Sequence, residues 1–180
     1  MKILLCGLTV SLLFVCSAAG APDEPRTKTP PESKDPNIEK VILRYAKLEV
    51  ALSSIEHKLE SATRKLLDNV PDGDRDFDLV FFAEKEAEIA AANLRRISDL
   101  LLVYPSVAES PSGRDEILPY VNSVRDETIT RLQGSVDSFS MRLRMIRTPI
   151  FAIEVQKLKE YVQQAIEKLE SWRLDDKLTK

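Results

Sequence analysis

Proline placement is the feature that most restricts how this chain can fold. Of its ten prolines, five fall between Pro22 and Pro36, and the others are Pro71, Pro105, Pro111, Pro119 and Pro149. Proline lacks the N–H that an α-helix needs and clashes with the preceding turn, so helices run between prolines or begin on them. The proline-free windows are 37–70, 72–104, 120–148 and 150–180. Apolar residues recur within them at spacings of three and four. The first window has Ile38, Val41, Tyr45, Leu48, Leu52, Ile55, Leu59, Ala62 and Leu66. The second has Val80, Ala83, Ala87, Ala90, Leu94, Ile97, Leu101 and Tyr104. Ile129, Leu132, Val136, Phe139, Leu143 and Ile146 mark the third, and Phe151, Val155, Leu158, Val162, Ala165, Leu169 and Trp172 the fourth. A mean spacing near 3.5 is the seam of helices packed side by side. No window alternates as a strand does, and 6% aromatic residues with five glycines do not suit a β-sandwich.

These patterns predict an all-α fold. The expectation is an antiparallel up-down four-helix bundle with heptad, coiled-coil-like packing, after a disordered proline-rich arm. Helices are expected over about 37–70, 77–104, 116–147 and 149–175. Asp35-Pro36 and Thr148-Pro149 read as N-caps followed by proline at the first helical position. Asn69 to Gly73 reads as a short turn, and Pro105 to Gly113 as a longer one. Arg147-Thr148-Pro149 has no glycine and admits a turn or a kink. The apolar phase slips across it, which favours the turn. Gly134 falls on the outward side of the third pattern and is kept inside its helix.

The first twenty residues set the expected location. Met1-Lys2 precedes an apolar run from Ile3 to Cys16, then Ser17-Ala18-Ala19-Gly20-Ala21. That is the pattern of a cleaved secretory signal peptide, and the run is shorter than the roughly 20 residues of a membrane helix. Residues 1–20 are therefore read as signal peptide, 21–36 as flexible arm and 37–180 as bundle. The competing reading is an uncleaved anchor. Cleavage removes Cys6 and Cys16, both cysteines of the chain, so the secreted form would have no disulfide, thiolate nucleophile or Cys-based zinc site. The bundle must then be held by packing, and 43% apolar residues are enough for a core. A net charge of −3 excludes the usual basic nucleic-acid binder.

Candidate chemistry is sparse. His57 is the one histidine and lies opposite the Leu52/Ile55/Leu59 seam, facing solvent, so neither a di-iron Glu-x-x-His pair nor a Ser-His-Asp triad is supported. Asp72-Gly73-Asp74-Arg75-Asp76-Phe77-Asp78 resembles a calcium loop. It fails at Phe77, where glycine belongs, and at Ala83, where glutamate belongs. These aspartates read instead as caps complementing the dipole of helix two. Arg142, Arg144 and Arg147 form an acid-free cluster, read as complementing the end of helix three or as contacting an acidic protein or polysaccharide. Bundle topology would place Asp74, Asp76, Asp78 and Glu84 beside them. Ala83, Ala87, Ala90, Ala91 and Ala92 imply either a close helix approach or space for an apolar ligand. Leu43, Val50, Phe82 and Ile89 lie off the seams and, with the three arginines, form the candidate partner surface.

No phosphate loop, nucleophile motif, metal constellation or cofactor motif is present in the sequence. The functional expectation is a secreted, extracellular, non-enzymatic helical protein that binds another protein, of effector, salivary or reproductive-fluid type. No cofactor, membrane span or nucleic acid is expected, and the oligomeric state is monomer or homodimer. The alternative is an extracellular carrier of lipid or another small apolar ligand, and a third class is a purely structural oligomer.

Overall fold

The structure, a computed structural model, describes residues 36–172 apart from 69, 72 and 109. The predicted leader, most of the arm, Asp35, Asp72 and residues 173–180 lie outside the described residues, as do the side chains of Ile38 and Val41. Within them the fold is all-helical, with no strand. The helices are α1 (Pro36–Asp68), α2 (Phe77–Ala108), α3 (Pro111–Leu143) and α4 (Pro149–Ser171).

Local chemistry explains most boundaries. α1, α3 and α4 each begin on a proline, whose missing N–H would have no partner in a first turn. Ser110 caps α3 by accepting the Gly113 N–H at 3.0 Å. Before α2, the Asp74 N–H donates to the Pro71 carbonyl at 3.1 Å, around Gly73 at φ +80°, a conformation open to glycine. Phe77 and Val80 then donate to the Asp74 and Asp76 carbonyls, starting the helix.

Several boundaries differ from the sequence expectation. α2 continues through Pro105 to Ala108 rather than stopping at Tyr104, and α3 starts at Pro111 rather than near residue 116, so the long turn shrinks to the residues between them. A proline removes one ladder bond. The burial of Leu101 and Tyr104 anchors the last turns of α2 against that loss. Pro119 lies inside α3 with its ring exposed. Between α3 and α4, residues 144–148 form a true turn. Arg144 stays right-handed, and the N–H groups of Met145 and Ile146 both reach the Arg142 carbonyl at 2.9 Å, so no glycine is required.

α1 packs on α2, α2 on α3, α3 on α4, and α4 returns to α1. α2 and α4 also touch across the diagonal. Tyr45, Leu48, Leu52, Ile55, Leu59 and Leu66 of α1 are buried and Ala62 only half-buried, while all eight seam residues expected in α2 and the seven expected from Phe151 to Trp172 are buried. Ala83, Ala87 and Ala90 are fully enclosed and belong to the core that also holds Phe139, Phe151 and Val155. The α3 line departs from expectation. Ile129, Val136 and Leu143 are only half-buried, whereas Val121, Val124, Thr128, Leu132, Ser135 and Phe139 are buried. Thr128 donates to the Val124 carbonyl at 2.7 Å and Ser135 to Glu86 at 2.7 Å, which lets two hydroxyls occupy core positions.

The ends are tied by different chemistry. At one end Tyr45 stacks on Tyr104 with centroids 4.0 Å apart and meets Trp172 edge-on at 4.8 Å. There Arg125 donates to the Trp172 carbonyl at 2.8 Å. At the other, one carboxylate oxygen of Asp76 accepts the N–H groups of Arg147 at 2.9 Å and Thr148 at 2.7 Å. Thr148 makes no side-chain cap of its own, and Asp76, just before α2, instead holds the backbone N–H groups at and before the α4 N-cap position.

Candidate partner surface

The most distinctive surface grows from the first turns of α2. Its inward line starts at Val80 and Ala83, so Phe81 and Phe82, turned by 100° per residue, cannot reach the core. Phe77, Phe81 and Phe82 are 37%, 36% and 54% exposed. They pack on one another instead, with centroids 6.3 Å apart for Phe77–Phe81 and 5.8 Å for Phe81–Phe82. Cations lie against two of the three rings. Lys85 Nζ lies 5.5 Å from the Phe81 ring centre and the Arg142 guanidinium 5.9 Å from that of Phe82. Phe77 and Phe81, absent from the expected surface, share with Phe82 the same legible signal, a position off the seam.

Arg142, Arg144 and Arg147 come to the same end through the Asp76 clamp. Asp76 therefore meets the arginine segment as expected, but through backbone N–H groups rather than guanidinium groups. Burial pushes its carboxyl upward, and hydrogen bonds from Thr148 and Arg147, with the Arg75 charge, outweigh that and hold it below the ordinary range. Arg142 donates to Ser138 Oγ, and Ser138 to Glu86 at 3.1 Å. Among the described residues no carboxylate lies within ion-pair distance of Arg142, Arg144 or Arg147. Asp74 accepts the Asp76 N–H at 2.8 Å, so it too is occupied within the turn. Exposed Met141 and Met145 belong to the same segment.

The other expected surface residues divide. Ile89 is more than half exposed two turns beyond Phe82 on the outer side of α2. Leu43 and Val50 are equally exposed, but on α1. Val50 borders a separate groove of about 860 Å³ running along α1 to α4, with Leu66, Ile150 and Phe151 among its apolar walls and Lys58 and Lys157 among its charged ones. His57 stands at that groove with its side chain 74% exposed, its Nδ1 3.9 Å from Glu60.

A second groove of about 570 Å³ lies between α1 and α2 over Ala87, Ala91 and Ala92. Its walls are polar: Glu60, Arg64, Glu84, Glu88 and Arg95. Arg95 bridges Glu56 and Glu60 at 2.6 and 2.5 Å. Glu84 is buried, with Lys85 3.7 Å from one oxygen and no partner for the other. Burial pushes its carboxyl above the ordinary range, Lys85 opposing and Glu88 adding to the effect. The outer side of the alanine stretch is thus a charged trough rather than an apolar pocket. No family model, curated protein or solved structure matches the chain.

Proposed function

We propose that this chain is a secreted, non-enzymatic helical protein that acts by binding another protein through the Phe82–Arg142 end, with Phe77, Phe81, Ile89, Arg144 and Arg147 contributing. The observation that carries the reading is the exposed, mutually packed strip of three phenylalanines out of the six in the whole chain. Scattered exposed apolar residues are ordinary, but a contiguous aromatic patch with methionine and arginine has the composition of an interface core. Secretion is supported by the leader composition alone. The bundle is read as up-down-up-down with heptad seams, supported by how contacts run along each helix pair. On α1 and α2, Tyr45 meets Tyr104 while Glu56 meets Arg95. On α2 and α3, Glu86 meets Ser135 at 2.7 Å while Arg96 meets Glu127 at 3.4 Å. Residue numbers rise on one partner as they fall on the other, as antiparallel neighbours require.

Affinity capture from the extracellular fluid, with quantitative mass spectrometry, tests the binding reading. The same protein should be enriched by wild type and lost with Phe82→Ser and Ile89→Ser. Enrichment indifferent to both changes would defeat it. The groove beside Val50, Leu66, Ile150 and Phe151 supports the second reading, an apolar-ligand carrier, because its volume falls in the range of small-molecule sites. A saturable thermal shift with a fatty acid would promote that reading over the first.

A further inference from the structure

We infer that the segment received at the Phe82–Arg142 end is an acidic stretch of protein carrying an apolar anchor. Its carboxylates would meet Arg142, Arg144 and Arg147, and an aromatic or long aliphatic side chain would rest on the Phe81–Phe82 rings. The inference rests on the protein-binding reading above and adds the partner's chemistry.

Charge carries the first half. From Ser138 to Phe151 there is no acidic residue, and two carboxylates that folding brings to this segment, those of Asp76 and Glu86, already hold other donors. Asp76 holds the N–H groups of Arg147 and Thr148, and Glu86 accepts from Ser135 and Ser138. The three guanidinium groups are left with no carboxylate at ion-pair distance among the described residues. Arginine, unlike lysine, presents a planar fork that fits carboxylate with two parallel hydrogen bonds. Arg142 is also pre-positioned, held by Ser138 and by the Phe82 face, so less side-chain freedom is lost when it binds.

The rings carry the second half. Phe77, Phe81 and Phe82 keep more than a third of their surface exposed while packed into a strip, which offers an apolar seat beside the cations. A second copy of this chain is a poor occupant, because a two-fold contact centred on this patch would set Arg142, Arg144 and Arg147 against their own equivalents. An anionic bilayer needs cationic charge but not a fixed fork, so the pre-positioned guanidinium favours a carboxylate partner.

A peptide array separates these cases. Glutamate number and the presence of one phenylalanine or leucine are varied independently, and the full chain is applied with Phe81→Ser/Phe82→Ser and Arg142→Lys variants whose helicity is checked by circular dichroism. Retention should require both acids and anchor and fall with added salt. The double serine variant should lose about thirtyfold or more, and Arg142→Lys should weaken binding severalfold although charge is kept. Retention that follows glutamate number alone, no retention, or capture by phosphatidylserine vesicles in place of peptides would overturn the inference. Captured natural partner provides the separating arm. If the double serine variant releases it while the array shows no dependence on acids, the surface stands and its chemistry is wrong. If release does not occur, the surface itself is wrong and the inference falls with it.

Discussion

Ala90→Leu tests whether the alanine stretch of α2 is a filled contact or a space. Ala90 is fully buried, borders neither groove, and sits on the helix that meets α4 across the bundle diagonal. Leucine adds three carbons there. If room existed, each buried methylene would add about 0.8 kcal/mol, roughly 2.4 kcal/mol of stabilisation in all. If the space is occupied, those carbons force off-rotamer side chains or shift the backbone, at a cost of about 1–3 kcal/mol. The two cases differ in sign, not merely in size. Urea unfolding followed by far-ultraviolet circular dichroism reads that sign directly, because an unchanged slope attributes a midpoint shift to stability. The expected result is a lower midpoint, with Ala92→Leu on the exposed side changing stability by no more than about 0.5 kcal/mol. A variant more stable than wild type would refute the close-packing argument and reopen the stretch as a ligand space.

Leu158→Ala removes a fully enclosed side chain and should cost about 2–5 kcal/mol in the same assay; a loss below 1 kcal/mol would contradict its place in the core. Gly134→Ala, at an exposed helical site with no atom within 4 Å of the new Cβ, should stabilise by about 1 kcal/mol, and destabilisation would show that α3 is not regular there. Two carboxyls should act in opposite directions across an acid titration of stability. Glu84, raised by burial, disfavours the fold increasingly as pH climbs from its unfolded value near roughly 4.3 through its raised folded value, so Glu84→Gln should flatten that loss. Asp76 is held low, against the pull of burial, by its hydrogen bonds. Its stabilisation is complete above the unfolded value near roughly 3.9 and fades as pH falls through the folded one, so Asp76→Asn should remove that acid-side fading; identical pH profiles would discard the clamp.

What the sequence determined by itself is what depends on neighbours along the chain. Helical periodicity, proline at first turns and the identity of the α1, α2 and α4 seams are properties of a single helix, and the spacing of apolar residues carries them directly. The half-polar seam of α3 was not legible, because Thr128 and Ser135 become core residues only when an earlier carbonyl and Glu86 accept their hydroxyls. The continuation of α2 past Pro105 was equally hidden, since a lost ladder bond is offset by burial that only neighbouring helices provide. At the candidate surface, outward residues such as Phe82, Ile89 and Arg142 could be named from their phase. Which of them share an end could not. Val50 came to border the groove between α1 and α4, while Phe82 met Arg142 across sixty residues of chain. Asp76 shows why: its carboxylate looked like a cap for its own helix, and tertiary packing instead delivered the unpaired N–H groups of Arg147 and Thr148 to it. A buried donor must find an acceptor, and which acceptor it finds is decided by which chain segments packing brings together.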